Sequence, residues 1–265
     1  MRYVADHDLH IHSTLSSCCH DSKQTPQAIL DYAEKNEFKT ICLTDHFWDE
    51  TVPGASHWYQ KQDYEHICKS KPLPQGENTR FLFGAETDMD KFLTVGVSPE
   101  RLKLLDFIII PTTHLHMDGF TLEKDIKTPE ARACLWTSRF AALLNMPLPW
   151  HKVGIAHLTC RLIGDHVETL SLIPDDTYAT LFKKAAKLGA GIELNFNSFG
   201  YESKKDLKTV LGVYKIAKDA GCKFYFGSDA HSVEALGKAR ANFENIIDLL
   251  KLKEEDKFII GNSKQ

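Results

Sequence analysis

Six apolar segments of this chain each end in a histidine or an acidic residue, and these end groups constrain the fold more than any other feature. In chain order they are Asp8-Leu9-His10-Ile11-His12, Thr44-Asp45-His46, Gly84-Ala85-Glu86, His114, His157 and Gly227-Ser228-Asp229-Ala230-His231. Each preceding segment is short and mostly apolar, as is typical of parallel strands that are buried on both faces. The pattern predicts a barrel, because only a closed or nearly closed sheet brings all of its strand ends around one centre.

Predicted strands alternate with predicted helices along the chain, which is typical of the α/β class with right-handed crossovers. The strands are expected at about 3–12, 39–45, 80–86, 104–113, 152–158, 190–196 and 223–229. Helices are expected from Thr25-Pro26, from Thr128-Pro129-Glu130 to about Met146, from Asp175-Asp176 to near Gly189, from about Lys204 to Ala220, and from about Val233 to Leu252. A length of 265 residues suits one barrel domain that spans residues 1–265.

Composition and charge limit the binding partners and the cellular compartment that the sequence predicts for this protein. The net charge of −4 argues against a nucleic-acid groove, which needs a concentrated basic face. No apolar run approaches the roughly 18–20 residues of a membrane span, and the N-terminus is polar, so we expect a cytoplasmic protein. The seven cysteines contain no Cys-x-x-Cys pair and are expected to be reduced. Cys18 and Cys19 flank His20 and are candidate soft metal donors.

Residues 47–79 separate the second strand from the third and are long for a loop. They include Trp48, Trp58, Tyr59 and Tyr64. Two interpretations remain open: a lid over the site, or a packed structural insertion.

The first strand has the spacing of a metal site. Asp8, His10 and His12 alternate along it, so all three side chains leave the same face. Asp229 and His231 repeat this spacing on the last strand. Histidine combined with carboxylate suits zinc, manganese or iron. A carboxylate such as Glu86 or Asp229 can bridge two ions that lie about 3.5–4 Å apart, as two-metal hydrolysis requires.

The isolated histidines carry less information than the clustered ones. His114 and His157 are candidate ligands because each follows a strongly apolar strand. His20 lies in a loop eight residues after His12, and its spacing alone does not assign it a role. The remaining histidines are expected to be structural or solvated; they are His7, His57, His66, His116, His151 and His166.

The chain resembles the PHP superfamily, named for polymerase and histidinol phosphatase, in the combination and order of its motifs. These motifs are Asp-x-His-x-His, Thr-Asp-His, Gly-x-Glu, the isolated histidines and Ser-Asp-x-His. The resemblance runs from Asp8 to His231. It implies a distorted (β/α)7, TIM-like barrel with two to three divalent ions at the C-terminal ends of the strands. The implied ligands are His10, His12, Glu86 and Asp229 for one ion, Glu86, His114 and His157 for a second, and His20, His46 and His231 for a third. The stretch Ala156-His157-Leu158-Thr159 departs from the family's common Ala-His-Pro, which affects the shape of the loop.

The predicted chemistry is hydrolysis of a phosphomonoester by a metal-bridging hydroxide, because bound metals acidify water and neutralise phosphoryl oxygens. The candidate proton donors for the leaving oxygen are Asp45, Asp88 and a metal-bound water. Arg161 is the candidate phosphate-binding guanidinium. At the sixth strand, Glu193 is expected either to support a metal ligand or to contact the substrate, and Asn195 and Asn197 are expected near the substrate.

A metal-dependent phosphatase that acts on a small-molecule ester is therefore the leading prediction, with L-histidinol phosphate, and so histidine biosynthesis, as the first candidate. Three alternatives are weighed against it. A PHP-type nuclease or nucleotide phosphoesterase would need a basic track, but the lysines are scattered through helices. An amidohydrolase is less favoured because no catalytic lysine stands at a strand end. A non-catalytic metal-binding module would tolerate loss of ligands, yet every expected position is filled.

Overall fold

Seven parallel strands form one sheet in which each strand pairs with the next along the chain. The computed structural model describes residues 1–195 and 203–261. The strands are β1 (His7–Ile11), β2 (Thr40–Leu43), β3 (Arg80–Glu86), β4 (Phe107–Pro111), β5 (Val153–Ala156), β6 (Gly191–Leu194) and β7 (Lys223–Phe226). Most are shorter than the sequence predicts, because the chain leaves the regular ladder at the polar residues that follow.

The first and last strands meet and nearly close the sheet into a barrel. Just past the end of β7, the Asp229 amide donates to the His10 carbonyl oxygen at 2.7 Å. The His12 amide donates to the Ala230 carbonyl oxygen at 3.2 Å. The predicted α/β class and the distorted, TIM-like barrel are confirmed. These bonds also hold the two richest ligand motifs of the sequence side by side.

Helices lie between the strands, and their N-termini are capped as the sequence indicates. They are α1 (Pro26–Lys35), α2 (Tyr64–Ile67), α3 (Pro99–Leu102), α4 (Pro129–Leu143), α5 (His166–Ser171), α6 (Asp175–Leu188), α7 (Lys204–Asp219) and α8 (Val233–Leu250). The side chains of Thr25, Thr128, Ser203 and Ser232 each accept a bond from a first-turn amide. Within the described residues, no helix is both long and apolar enough to cross a membrane.

Two apolar clusters build the core. The larger one joins the outer faces of the strands to the helices, with fully buried side chains such as Phe140, Phe182 and Phe243. The smaller one combines side chains of β1 to β5 and β7, and it fills the inside of the barrel below the polar strand ends. Phe258, from the segment after α8, joins this inner cluster beside Phe107 and Tyr225.

Residues 47–79 are attached to the barrel by a third apolar cluster. Trp48 and Tyr59 are buried against Phe120, which comes from the loop after β4. This packing favours the structural insertion over a freely moving lid. Trp58, next to Tyr59, remains 38% exposed at the polar end of the barrel.

Candidate metal centre

Glu86, the last residue of β3, lies at the middle of the polar end of the barrel. Its Oε2 lies 3.2 Å from His10 Nε2, 3.3 Å from His12 Nε2 and 3.2 Å from His46 Nδ1. Its Oε1 lies 3.3 Å from His157 Nε2 and 3.9 Å from His114 Nε2. One carboxylate therefore divides five imidazoles into two groups, the arrangement that a ligand shared by two ions requires.

Asp229 supplies a second carboxylate beside the β1 histidines. Its Oδ1 lies 3.2 Å from His12 Nε2 and 3.6 Å from His10 Nε2. Its Oδ2 lies 3.8 Å from His157 Nε2. Like Glu86, it faces histidines that belong to both groups.

A third set of donors lies toward the rim. Ligand atoms of His12, His46 and His231 fall within 4.8 Å of one another. The rings of His46 and His231 both stack on His12, with centroids 4.5 Å and 4.2 Å from it and 6.3 Å from each other. The structure therefore brings together eight of the nine predicted ligand residues: His10, His12, His46, Glu86, His114, His157, Asp229 and His231.

Three of the rings are oriented by acceptors on their remote nitrogens. His10 Nδ1 donates to Glu193 Oε1 at 2.5 Å, and His114 Nδ1 donates to Asp88 Oδ2 at 3.1 Å. His12 Nδ1 donates to Ser16 Oγ at 2.9 Å. Each bond keeps a proton on Nδ1 and directs Nε2 toward the centre, which is how ligand histidines are usually held.

The pKa values of the histidines in the centre depend on their burial and on the neighbouring carboxylates and imidazoles. Burial alone would lower the pKa of His10, but the carboxylates of Glu86, Glu193 and Asp229 outweigh it and raise that pKa well above its usual value. Burial lowers the pKa of His46 well below its usual range, and burial together with His12 lowers that of His231 to about 4. The outer histidines are therefore neutral at ordinary pH, the form that binds a metal cation.

Two of the converging residues have unusual backbone conformations. His157 and Asp229 adopt φ values of 59° and 53°, in the left-handed region that non-glycine residues seldom occupy. The His157 amide is held by Glu193 Oε2 at 3.1 Å, and the Asp229 amide by the His10 carbonyl oxygen. Such conformations persist where the surroundings fix them, and they are concentrated at functional sites.

Gly227 permits the close approach of β7 to β1. A Cβ atom at this position would lie 2.4 Å from His10 Cβ and 2.6 Å from Glu193 Oε1. No rotation of the His10 side chain relieves the first contact, because the Cβ position is fixed by the backbone. A larger residue would therefore push the two ligand strands apart.

His20 is the predicted ligand that the structure does not bring to the centre. It is exposed, and it is absent from the described lining of the pocket. Cys18, two residues earlier, lines the pocket instead, with Sγ 3.0 Å from His231 Nε2. Burial, with the charges of Glu86 and Asp229, raises the pKa of the Cys18 thiol to about 12.

The two predicted proton donors are placed differently. Asp45 lies behind His12 and outside the described pocket lining, where its carboxylate accepts bonds of 2.7 Å from the Ser13 amide, the Ser13 hydroxyl and the Ser16 hydroxyl. Asp88 lines the pocket and accepts a 2.6 Å bond from the Tyr59 hydroxyl. Of the two, only Asp88 belongs to the described pocket lining.

The predicted substrate-binding residues also lie in different places. Glu193 and Asn195 are fully buried at the end of β6, and Glu193 orients His10 and the His157 amide rather than lining the pocket. Arg161 is exposed at the start of a short 3-10 turn, and its neighbour Leu162 lines the pocket. Asn197 lies outside the described residues.

The donors open into a pocket of about 490 Å³. Its outer wall is largely apolar and aromatic, formed by Trp58, Met117 and Leu162 beside His116. Among the described lining residues there is no lysine or arginine. The full lining is Cys18, His46, Trp58, Tyr59, Glu86, Asp88, His114, His116, Met117, His157, Leu162, Asp229 and His231.

Sequence reasoning missed several of these residues. Ser16 lies four positions after His12, and no local signal distinguishes it from other loop serines. His116, which was expected to be structural or solvated, lines the pocket two residues beyond His114. Trp58 was recognised only as part of an aromatic segment.

The donor set fits metal ions. Both oxygens of Glu86 and the Nδ1 atoms of His46 and His157 are buried, and they have no hydrogen-bond partner among the described residues. Leaving such atoms unpaired is costly unless something else satisfies them. Neutral imidazoles and carboxylates on one centre are suited to zinc, manganese or iron.

A parallel barrel whose strand ends present histidines and carboxylates to one centre defines a class of metal-binding barrels. Comparison with known proteins gives the family. A model of the PHP domain matches residues 8–195, and a model described as PHP-associated matches residues 213–258. The chain belongs to the PHP domain family, so the resemblance inferred from the motifs is confirmed.

Two bacterial relatives bear the name probable phosphatase, one from Thermoanaerobacter sp. (strain X514) and one from Thermoanaerobacter pseudethanolicus. Each is 29% identical over 247 residues, which cover 92% of this chain and 84% of the relative. These names agree with the predicted class of phosphoric monoester hydrolase.

Two solved structures share the fold. One is histidinol phosphate phosphatase from Lactococcus lactis, complexed with zinc, L-histidinol and phosphate; it has a TM-score of 0.58 and 15% identity, and the match covers 91% of this chain and 93% of that one. The other is a histidinol phosphatase from Listeria monocytogenes, described in its name as putative. It has a TM-score of 0.61 and 14% identity, and the match covers 89% of this chain and 99% of that one.

Proposed function

We propose that the protein is a metal-dependent phosphatase that hydrolyses a small-molecule phosphomonoester. The observation that carries the proposal is the division of five imidazoles by the two oxygens of Glu86, with Asp229 as a second carboxylate beside His12. Two to three divalent ions held there would supply an acidified water and neutralise the phosphoryl oxygens. The PHP family membership and the named phosphatase relatives support the same class.

The protein's own residues would hold these ions and position the reaction. The eight converging ligand residues fix the centre, and Glu193, Ser16 and the Asp88 carboxylate fix the orientation of three of their rings. Asp88 also faces the pocket, and its Oδ1 has no hydrogen-bond partner within the described part of the chain. We assign Asp88, rather than Asp45, to the leaving-group side of the substrate.

The shape of the pocket favours a compact substrate. Its volume of about 490 Å³ suits a small molecule. Trp58, Met117 and Leu162 offer an apolar surface for the alcohol part of the ester. No cation among the described lining residues would track a polynucleotide backbone, which nucleic-acid binding normally requires. The phosphate would then be bound chiefly by the metal ions.

L-Histidinol phosphate is the first substrate to test. It is small, and its imidazole could pack on the aromatic wall while its ammonium group faces Asp88. The solved Lactococcus lactis phosphatase that shares this fold carries L-histidinol and phosphate. That likeness supports the choice of first substrate, and the assay decides it.

The experiment measures phosphate release by protein reconstituted separately with zinc, manganese and iron. The substrates are L-histidinol phosphate, a nucleotide, a sugar phosphate, a phosphodiester and an amide. His12→Ala is the inactive variant, and His151→Ala, at the opposite end of β5, is the matched control. A kcat/KM of about 10⁴ M⁻¹s⁻¹ or more on L-histidinol phosphate alone supports this substrate.

The other outcomes separate the alternatives. Faster turnover of another monoester keeps the phosphatase and discards L-histidinol phosphate. Turnover of only the diester or only the amide would replace the proposal with a nuclease or an amidohydrolase. Equal activity after removal of the metals would refute the metal dependence.

A further inference from the structure

Cys18 lines the pocket at the rim, where the family resemblance implied His20 as a ligand. Its Sγ lies 3.0 Å from His231 Nε2, and its side chain lines the pocket. His20 is exposed to solvent. We propose that Cys18, and not His20, supplies the third donor beside His46 and His231, so that the outer metal position is a thiolate–imidazole site. This inference rests on the proposed metal centre, but it does not depend on which substrate is hydrolysed.

The histidines beside Cys18 independently point to a ligand. His46 is only 7% exposed, and its Nδ1 has no hydrogen-bond partner among the described residues. Ligand atoms of His46, His231 and His12 converge within 4.8 Å. His12 Nε2 is already directed at Glu86 and Asp229. The outer position therefore has two imidazoles, and the Cys18 thiol, 3.0 Å from His231 Nε2, is placed to complete it.

The loop after β1 is anchored on both sides of Cys18. On one side, the Ser16 hydroxyl donates to Asp45 Oδ1 at 2.7 Å and accepts the His46 amide at 3.1 Å. On the other side, Cys19 Sγ donates to the His231 carbonyl oxygen at 3.2 Å. These bonds turn position 18 toward the pocket.

A further anchor turns His20 away from the pocket. Asp21 Oδ2 accepts the Val233 amide at 3.1 Å, so Cys19 and Asp21, on either side of His20, are both tied to residues 231–233. These two bonds fix the chain on both sides of His20 while its side chain stays exposed. Cys18, by contrast, already lines the pocket.

A thiol at this position changes which metal the site prefers. Thiolate with imidazole is a donor set typical of zinc, whereas manganese prefers carboxylate and other oxygen donors. Coordination requires the thiolate, so binding at this position would release the thiol proton to solvent and would be favoured as the pH rises. Among the metals suggested by the whole centre, the outer position would therefore select zinc over manganese.

The test uses the full chain loaded with cobalt(II), which gives a near-ultraviolet charge-transfer band when a thiolate is bound to it. We expect the band in the unaltered protein, in Cys19→Ser and in His20→Ala. Cys19→Ser is the matched control because its hydroxyl can still donate to the His231 carbonyl. Cys18→Ser is expected to lose the band and to bind one ion fewer per chain. Far-ultraviolet circular dichroism checks that each variant is folded.

Cys18→His gives a second route if Cys18→Ser does not fold. It is expected to keep the number of ions and to lose the band. The inference is overturned if the band persists in Cys18→Ser or Cys18→His, if the unaltered protein binds cobalt without a band, or if His20→Ala loses an ion. An intact cobalt spectrum in a protein without phosphatase activity would refute the proposed function while leaving Cys18 as a ligand.

Discussion

At the N-terminal end of the barrel His7 is buried, and both of its ring nitrogens have partners. Nδ1 donates to Asp6 Oδ1 at 3.1 Å, and Nε2 accepts the Phe226 amide at 3.0 Å. At the C-terminal end, His46 is equally buried, but its Nδ1 faces Glu86 without a hydrogen bond. The two histidines therefore differ in whether the polypeptide itself satisfies them.

The same contrast extends to the surroundings of each histidine. Around His7, the Tyr3 hydroxyl donates to the Phe224 carbonyl oxygen at 2.8 Å, and Lys257 forms an ion pair with Asp6 at 3.1 Å. Around His46, carboxylates and imidazoles face one another with several polar atoms unpaired. The polar groups at the N-terminal end satisfy one another, whereas those at the C-terminal end include buried donors and acceptors that are open to a ligand.

Replacing Glu86 should have the largest effect on the polar end of the barrel. Glu86→Gln removes the shared charge and one oxygen donor, so we expect loss of bound metal and a fall in phosphate release of about 10³-fold, the size seen when a key electrostatic group is removed. Metal content is measured by mass spectrometry alongside the phosphate assay. Glu254→Gln, at the other end of the barrel, is the control and should keep both the bound metal and the rate of phosphate release. Full metal content in Glu86→Gln would show that Glu86 is not a ligand.

At the other end, Phe258→Ala should change stability and not the metal centre. Phe258 is 6% exposed and fills the inner cluster beside Phe107 and Tyr225. Deleting a buried phenyl ring typically costs about 3–5 kcal/mol in the free energy of unfolding. Urea unfolding of the metal-free protein measures this loss, and zinc titration of the folded variant should give an unchanged affinity. A large loss of zinc affinity would mean that the two ends are coupled.

Ser16→Ala tests whether the rings at the polar end depend on their orienting bonds. It removes the acceptor of His12 Nδ1, and we expect zinc affinity to fall about 10–100-fold, the usual effect of losing such a partner. Ser13→Ala is a matched control, because the Ser13 hydroxyl donates to the same Asp45 carboxylate but contacts no described ligand ring. Equal losses in both variants would assign the effect to Asp45 and the loop instead of to the ring.

The barrel and its polar end could be predicted because they depend on local patterns. Apolar runs that end in His10, Glu86 or Asp229 are visible without tertiary information, and the parallel topology brings their ends together. The predicted strand limits ran past the true ends, since residues such as His157 and Asp229 look like continuations of a strand but adopt left-handed backbone conformations.

The choice between Cys18 and His20 could not be made from spacing. It depends on how the loop after β1 is tied to Asp45, His231 and Val233, which are distant in sequence. Asp45 was a reasonable proton donor because it precedes His46. The structure turns its carboxylate away from the pocket, toward Ser13 and Ser16.

The smallest effect is expected at Asp6, whose ion pair with Lys257 is partly exposed. Burial would raise the pKa of Asp6, but His7 and Lys257 outweigh it and lower that pKa to about 2 from its usual 3.8. Because the folded-state pKa is the lower one, the stabilisation is complete above pH 3.8 and is lost as the pH falls through about 2. Solvent screening keeps it below about 1 kcal/mol. Asp6→Asn should therefore unfold at slightly lower urea than the unaltered protein at neutral pH, and the difference should shrink toward pH 2. Its zinc affinity should not change, because the polar groups at this end of the barrel satisfy one another. If the difference in stability between the two proteins grew as the pH fell, the prediction would be wrong, and charged Asp6 would be destabilising.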